Sequence, residues 1–197
     1  MPTQNETVNQ PVAVLSEILA RNKTNHRWSE KLILDGRNRA ALISSAAGVP
    51  SDPHLHPDFN EWWIGMDGRT SWQIGEYGPV VAEFGDIVIA PSGARHDINA
   101  VGEGHGTRLV VGPEDSNKDL KGIEPARMIT VDDALEPPNR IHTGLEYMFN
   151  RHSRDEAWSE EVLLDQRNRI NMIHTLPGQA SSAHWHPDMA EWWFVAK

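Results

Sequence analysis

Two segments of this chain carry the same pattern of metal-binding residue types, at residues 54–63 and 184–193. A His-x-His pair in a β-strand puts two imidazoles on one face, because strand side chains alternate. A glutamate five residues later can return on the neighbouring strand. Two histidines and one carboxylate suit a divalent transition metal that keeps open positions for a substrate. The side chains in question are His54, His56 and Glu61 in the first segment and His184, His186 and Glu191 in the second.

The two segments belong to a longer internal repeat with an offset of 130 residues. It runs without a gap from Trp28 and Trp158 to Trp63 and Trp193, and 18 of its 36 aligned positions are identical. Lys197 aligns with Asp67, so the second copy stops where the first still has about half of its strands to come. We expect a truncated two-domain chain; the alternative is that the C-terminal strands pack on the first copy or on a partner subunit.

Composition limits the classes of protein to which the chain can belong. Its 197 residues are 39% hydrophobic and 23% charged, as in an ordinary globular protein. The net charge of −10 disfavours nucleic acid and anionic membranes as partners, since both attract basic surfaces. With no cysteine, metal ligands must be histidine or carboxylate. The polar first ten residues do not resemble a signal peptide, which favours a cytoplasmic location.

Short apolar runs separated by glycine, proline and aspartate predict an all-β fold from Trp28 onwards. We divide the chain into a tail with a short helix (1–27), a first domain (28–112), a linker (113–144) and an incomplete second domain (145–197). The helix is predicted at Pro11–Arg21, and a helical turn near Val131–Leu135. The predicted strands are Lys31–Leu34, Arg39–Ser45, Asp52–His56, Asn60–Asp67, Thr70–Glu76, Val80–Phe84, Asp86–Ile89, His96–Ala100 and Arg108–Gly112.

The first copy resembles the cupin superfamily over residues 28–112. The first motif of that family has Gly, His-x-His, Glu and Gly at fixed spacing, and the second has Gly, Pro-x-Gly, His and Asn. The chain matches the first motif at Gly48, His54, His56, Glu61 and Gly68, and the second at Gly85, Pro91, Gly93 and His96. The final asparagine departs by one position, at Asn99. Gly178, His184, His186 and Glu191 repeat the first motif, but the second copy has no counterpart of His96.

The resemblance implies a double-stranded β-helix, or jelly-roll, barrel followed by a partial second cupin repeat. It also implies one divalent metal, Fe, Mn, Ni or Zn, held by His54, His56, Glu61 and His96. The alternative for these four is a hydrogen-bonded polar cluster that has lost its metal. His184, His186 and Glu191 form an incomplete second site, which we expect to bind weakly in the present chain.

Strand alternation predicts which other side chains surround this site. If Glu61 points inward, Trp62 points outward and Trp63 inward. Trp63, Trp72 and Ile74 could line a substrate pocket, although Trp63 is equally suited to filling the core. Arg39 could hold a substrate carboxylate, but we interpret the repeated Arg-Asn-Arg tripeptide, at residues 37–39 and 167–169, as a solvated turn.

These residues predict a metal-dependent enzyme for a small organic substrate, with dioxygenase, decarboxylase or isomerase chemistry. The alternative is a non-catalytic cupin that binds a metal or a small molecule. A homodimer is expected, because a second subunit could bury the outward-facing tryptophan and the unpaired strand edges of the incomplete second copy.

Overall fold

The chain folds mainly into antiparallel β-structure, as its short apolar runs predict. The computed structural model describes residues 8–116 and 136–196, which contain two helices and eleven strands. The helices are α1 (Leu15–Arg21) and α2 (Leu145–Arg151). The strands are β1 (Arg27–Leu34), β2 (Asn38–Ala46), β3 (Glu61–Asp67), β4 (Thr70–Ile74), β5 (Tyr77–Ala82), β6 (Ile87–Ala90), β7 (His96–Ala100), β8 (His105–Pro113), β9 (His142–Thr143), β10 (Trp158–Leu164) and β11 (Arg169–His174).

Two facing sheets enclose the core of the first domain. One has the strand order β1-β2-β8-β3-β6-β9, and the other has the order β5-β4-β7. Their inner faces share one apolar cluster, which includes Trp63, Val88 and Val110 from the larger sheet and Trp72 and Ile74 from the smaller. This arrangement is the predicted double-stranded β-helix, and it leaves the alternate residues of the larger sheet facing outward.

The strand predicted at Asp52–His56 is wrong as a regular strand. The structure keeps a single bridge there, between His54 and His96, in which the two backbones exchange hydrogen bonds of 3.2 and 2.8 Å. Prolines flank this bridge at positions 53 and 57. Because proline has no N–H to donate, it interrupts a ladder of hydrogen bonds at each side. The bridge still places His54 beside β7, at the edge of the smaller sheet.

The helices also differ from the prediction. The helix expected at Pro11–Arg21 begins only at Leu15, because Val14 is extended and supplies no side-chain cap. Helix α2 was not predicted, and the turn expected near Val131–Leu135 lies outside the described residues. Helices α1 and α2 lie 130 residues apart, so the repeat extends further toward the N-terminus than the sequence identity that revealed it.

The start of each copy is built in the same way. Asn9 and Asn139 both adopt positive φ angles, 58° and 72°. Each amide side chain makes a pair of hydrogen bonds with one strand residue, Asn9 with Leu34 and Asn139 with Leu164, at 2.8 to 3.0 Å. The bulge in the β1–β2 pair likewise recurs in the β10–β11 pair. The second copy therefore repeats the local structure of the first as well as its amino-acid sequence.

The second copy packs on the outer face of the larger sheet. Trp62 and Trp192 stack there with ring centroids 5.8 Å apart and planes 3° from parallel. The Asn38 amide donates to Asn168 Oδ1 at 2.9 Å. Each pair joins a residue to its own counterpart 130 positions away, which is the signature of a two-fold axis between equivalent surfaces. The C-terminal segment thus contacts the first copy, and the truncated two-domain chain stays a prediction.

Part of the range predicted as a linker forms a strand of the larger sheet. Strand β9 pairs with β6 through Ile87 and Val88. Asp86 fixes the chain just beyond it: its carboxylate accepts hydrogen bonds from the Leu145 N–H at 3.0 Å and the Glu83 N–H at 3.1 Å, and it lies 3.1 Å from His142 Nε2. No helix in the described part of the chain is long and apolar enough to cross a membrane.

The Asp86 carboxylate should contribute stability that depends on pH. Burial would raise its pKa, but the hydrogen bonds from His142, Glu83 and Leu145 lower it below the ordinary value of 3.8. A carboxyl with a depressed folded-state pKa stabilises the fold above its unfolded pKa, and this contribution disappears as pH falls through the folded value. We expect Asp86→Asn to lower the free energy of unfolding by about 1–3 kcal/mol at pH 7.

Denaturant titrations of wild type and Asp86→Asn between pH 7 and pH 3 test this expectation. The difference between the two proteins should shrink below about pH 3.8. Asp67→Asn, at an exposed position at the end of β3, is the matched control and should change little. A difference for Asp86→Asn that stays constant with pH would contradict the assignment.

Candidate metal centre

Four side chains predicted as ligands lie together at one end of the first barrel. His54, His56, Glu61 and His96 are all buried, and one ligand atom from each lies within 4.8 Å of the others. Glu61 Oε2 is 3.2 Å from His96 Nε2, 3.4 Å from His56 Nε2 and 4.0 Å from His54 Nε2. The structure thus brings all four predicted residues to one point.

Elements of both sheets position these ligands. Glu61 opens β3 in the larger sheet, where it pairs with Ala90, and His96 opens β7 in the smaller sheet. His54 lies beside β7 through its single bridge, and His56 follows in the loop that leads to β3. The cluster therefore spans the gap between the two sheets.

The predicted turn before His96 is present and is tied to the ligand loop. Gly93 has φ 79°, in the left-handed region that favours glycine, and its N–H donates to the His56 carbonyl at 2.6 Å. The Ser92 hydroxyl donates to the Pro57 carbonyl at 2.5 Å, and the Ser92 N–H donates to Asn60 Oδ1 at 2.9 Å. These bonds fix the loop that carries His56 against the strand that carries His96.

Hydrogen bonds to backbone carbonyls orient two of the histidine rings. His54 Nδ1 lies 2.6 Å from the Asp52 carbonyl, and His96 Nδ1 lies 3.2 Å from the Ala94 carbonyl. Because a carbonyl oxygen can only accept, each Nδ1 carries a proton, and Nε2 is the ring nitrogen that is turned away from the carbonyl. The two Nε2 atoms are 3.1 Å apart and both face the cluster. Bonds of this kind orient histidine ligands in metal sites.

The pKa of the Glu61 carboxyl is lowered despite its burial. Burial raises its pKa, but hydrogen bonds from His56 and His96, together with the charges of those rings, lower the pKa well below the ordinary value of 4.5. A buried carboxylate is stable only with compensating partners. A divalent cation at the centre of the three imidazoles would supply such compensation.

The observed spacings fit a first-row divalent ion. With bonds of about 2.1 Å, neighbouring ligand atoms of an octahedral ion lie about 3.0 Å apart and opposite ones about 4.2 Å apart. The three distances from Glu61 Oε2 to the histidine nitrogens and the distance between His54 Nε2 and His96 Nε2 are 3.1 to 4.0 Å, which falls within that range. Three imidazole nitrogens and one carboxylate oxygen are donors that such ions accept. Four protein ligands leave two octahedral positions for water or substrate.

The second predicted site has the same local form but is exposed. The His184 and His186 rings lie 5.1 Å apart at 83°, compared with 5.0 Å and 79° for His54 and His56. His186 Nε2 is 3.6 Å from Glu191 Oε2. In the described residues these three form a cluster without a fourth histidine or carboxylate. Its role in binding metal stays a prediction.

Three of the predicted pocket residues lie deep in the barrel. Trp63, Trp72 and Ile74 are between 0% and 1% exposed, and the Trp63 ring meets the edge of His96 at 5.2 Å. Trp63 therefore fills the core and also forms one wall beside the predicted metal ligand His96.

Arg39, the fourth predicted pocket residue, pairs with Gly112, which lies beside Glu61. Its guanidinium donates to Ser116 Oγ at 2.8 Å.

The Arg-Asn-Arg turns contribute more than the solvated turns that the sequence predicts. Asp35 and Asp165 do cap them, by accepting backbone N–H groups at 2.6 to 2.9 Å. Arg167, however, reaches from the second copy into the first, where its guanidinium donates to the Asn60 carbonyl at 2.6 Å and to Asn38 Oδ1 at 3.1 Å. Sequence reasoning missed the contact with Asn60 because the two residues lie 107 positions apart.

Arg167 thereby supports the metal-ligand loop from outside. Its guanidinium lies over the Phe59 ring at 5.5 Å, and Phe59 in turn stacks on His56 at 4.3 Å. Burial lowers the pKa of Arg167, and the charges of Asp165 and Glu61 act against that shift. The second copy thus contributes a residue that holds the loop between His56 and Glu61.

Arg167→Met should weaken metal binding at the first site without removing any ligand. Loss of a supporting contact to a metal site typically costs about 10–100-fold in affinity. Zinc affinity measured by competition with a chromophoric chelator checks this expectation. Arg37→Met is the matched control, since Arg37 occupies the same position in the first copy and its guanidinium donates to the Arg167 carbonyl in the second copy.

Arg37→Met should bind zinc nearly as tightly as wild type, and Arg167→Lys should recover part of the loss. Thermal unfolding of each zinc-free variant separates loosened ligands from a general loss of fold. Equal zinc affinities for Arg167→Met and wild type would show that the loop needs no support from the second copy.

Comparison with known proteins agrees with this site. The family model of the cupin domain matches residues 42–112. No curated protein sequence matches the chain. Among solved structures, the chain is similar to TT1209 from Thermus thermophilus, with 21% identity, a TM-score of 0.46 and coverage of 53% of this chain and 98% of that one.

Two further similar structures come from other bacteria. A conserved Klebsiella pneumoniae protein with a double-stranded β-helix domain has 18% identity, a TM-score of 0.47 and coverage of 55% and 95%. A cupin-2 domain-containing protein from Shewanella frigidimarina has 16% identity, a TM-score of 0.44 and coverage of 52% and 95%. The family match covers all four clustered ligands and both of their motifs. Residues 42–112 of this chain therefore form a cupin domain.

Proposed function

We propose that the first cupin domain is a metal-dependent enzyme that acts on a small organic substrate. The single observation that carries this proposal is the buried cluster of His54, His56, Glu61 and His96, which fits a divalent ion and leaves two of its positions open. A closed coordination sphere is typical of structural ions, whereas open positions are typical of catalytic ones. The chemistry that we propose is that of a dioxygenase, a decarboxylase or an isomerase.

A divalent ion of iron, manganese, nickel or zinc at this cluster would supply Lewis-acid chemistry and, in the case of iron, redox chemistry with O₂. The protein's own residues prepare the site for that role. His54 and His96 direct their Nε2 atoms into the cluster, because their Nδ1 atoms donate to backbone carbonyls. Glu61 offsets part of the ion's charge, and Trp63 limits water on the inner side.

The alternative is a cupin that binds a metal or a small molecule without turnover. One observation favours it: Glu61 belongs to the larger sheet and His96 to the smaller, so an ion would tie the two sheets together. Such an ion would stabilise the fold by mass action, by about 2.7 kcal/mol at a free metal concentration 100 times its dissociation constant. Stabilisation with no turnover in any assay would favour this alternative.

Metal content tests the proposed site. Elemental mass spectrometry of protein folded with each of the four ions should find about one ion per chain in wild type. We expect His54→Ala to lose it, because the remaining ligands no longer surround the ion. His184→Ala is the matched control, since it removes the equivalent histidine of the exposed cluster, and it should keep the metal of the first site.

The outcomes separate the two functions. Equal metal content in wild type and His54→Ala, or no metal with any of the four ions, would overturn the proposed site. If the metal is bound, assays of O₂ consumption, CO₂ release and isomerisation of small carboxylic acids follow. Turnover that disappears in His54→Ala and persists in His184→Ala supports the enzyme.

We also propose a cytoplasmic homodimer, although one argument for a dimer has weakened. Trp62, which faces outward as predicted, is already covered by Trp192 of the same chain. Large apolar side chains of the second copy stay exposed, among them Trp185 at 79% and Val195 at 78%. Light scattering after size-exclusion chromatography tests the dimer, and a stable monomer would count against it.

A further inference from the structure

Strand β8 carries an arginine into the barrel. Val110 pairs with Trp63 and belongs to the inner cluster, and Arg108 lies two residues before it on the same strand. Because side chains two positions apart share a face, Arg108 points inward with Val110. The pairing of β8 with β2 is regular throughout, so this alternation is not shifted. Arg108 itself is only 9% exposed.

Within the described residues, the side chain of Arg108 lacks the partners that a buried guanidinium normally has. Its Nε is buried with no hydrogen-bond partner. Its neighbours across the ladder are Ile43 on β2 and Gly65 on β3, neither of which has a side-chain acceptor. Buried charges are usually paired, because an unpaired one costs several kcal/mol of desolvation free energy. A buried arginine without an acceptor is therefore a feature that needs an explanation.

Electrostatics inside the barrel favours an additional anion. Burial lowers the pKa of Arg108 to about 10, Glu61 raises it and Arg27 lowers it, so the guanidinium stays protonated at neutral pH. The Glu61 carboxylate is already engaged by His56 and His96. With a divalent ion at the cluster, the charges of the ion, Glu61 and Arg108 sum to an excess of two positive charges.

We propose that Arg108 binds the carboxylate of a small anionic substrate inside the first barrel, with the reacting end of the substrate facing the four-ligand cluster. This inference rests on the proposed function and narrows its substrate class to carboxylic acids. A guanidinium presents two parallel N–H donors that match the two oxygens of a carboxylate. Arg108 is not fully enclosed, since 9% of its surface stays exposed.

A structural role for Arg108 makes a different prediction from a ligand-binding role. If Arg108 only balances Glu61, its removal should destabilise the metal-free fold. If Arg108 serves to bind a ligand, Arg108→Met removes a buried charge that has no partner in the ligand-free protein. The metal-free variant should then be at least as stable as metal-free wild type. Thermal unfolding of both proteins without ligand separates these cases.

Calorimetric titration of the zinc-loaded protein tests the binding site itself. The probes are acetate, malonate and benzoate, each compared with its uncharged amide, and inorganic phosphate as a different anion. We expect at least one carboxylate to bind wild type, and Arg108→Met to weaken it about 10–100-fold, the loss typical of a charge-assisted bidentate contact. Arg108→Lys should recover part of the affinity, because it keeps the charge and loses the paired donors.

The matched control is Arg69→Met, which removes an exposed arginine that pairs with Glu83 at 3.1 Å. It should bind the carboxylates as wild type does. Zinc content of every variant and the same titrations without zinc keep this inference distinct from the metal site. Carboxylate binding that depends on Arg108 in zinc-free protein would support the anion site even if the metal proposal failed.

Three results would overturn the inference. One is equal carboxylate affinity for wild type and Arg108→Met, including no binding by either. Another is equal binding of each acid and its amide, or tighter binding of phosphate than of every acid. The third is a strongly destabilised Arg108→Met together with unchanged carboxylate binding by Arg108→Lys, which would assign the residue to the fold.

Discussion

Glu61 brings a carboxylate into the interior of the first barrel, and the surrounding structure is arranged to hold that charge. A lone carboxylate at 6% exposure would cost several kcal/mol of desolvation free energy or would bind a proton. Strand β7 of the opposite sheet and the segment that precedes β3 therefore bring three imidazoles to it. The backbone carbonyls of Asp52 and Ala94 orient two of those rings so that their Nε2 atoms face the cluster. A set of ligands for a divalent ion is the consequence.

The internal duplication adds a second constraint, because each copy meets its own counterpart. Trp62 stacks on Trp192, and Asn38 bonds to Asn168, around an approximate two-fold axis. In a two-fold arrangement each contact from the first copy to the second is matched by an equivalent contact from the second copy to the first, provided that both copies contain the residues involved. Arg167 makes its contact with the ligand loop of the first copy. The second copy is thus part of the environment of the first site as well as a neighbouring layer.

Much of the site could be predicted from sequence because its ligands follow local rules. The His-x-His spacing, the glutamate and the Pro-x-Gly turn depend on alternation and turn chemistry over a few residues, and strand alternation alone sends Trp62 outward and Trp63 inward. The prediction failed where two prolines reduce a strand to a bridge at His54, and where contacts join residues far apart, as at Arg167. Alternation along β8 could have pointed to Arg108, but the absence of an acceptor around it among the described residues appears only once the sheets are assembled.

The central claim is that His54, His56, Glu61 and His96 hold one divalent ion. Anomalous diffraction from crystals grown with manganese or nickel, recorded at the metal absorption edge, tests it most directly. A single peak inside the barrel, about 2.0–2.2 Å from the three Nε2 atoms and a Glu61 oxygen, is the result that this account predicts. Well-ordered crystals with no peak at that position, or with a peak only at the exposed cluster of His184, His186 and Glu191, would contradict it.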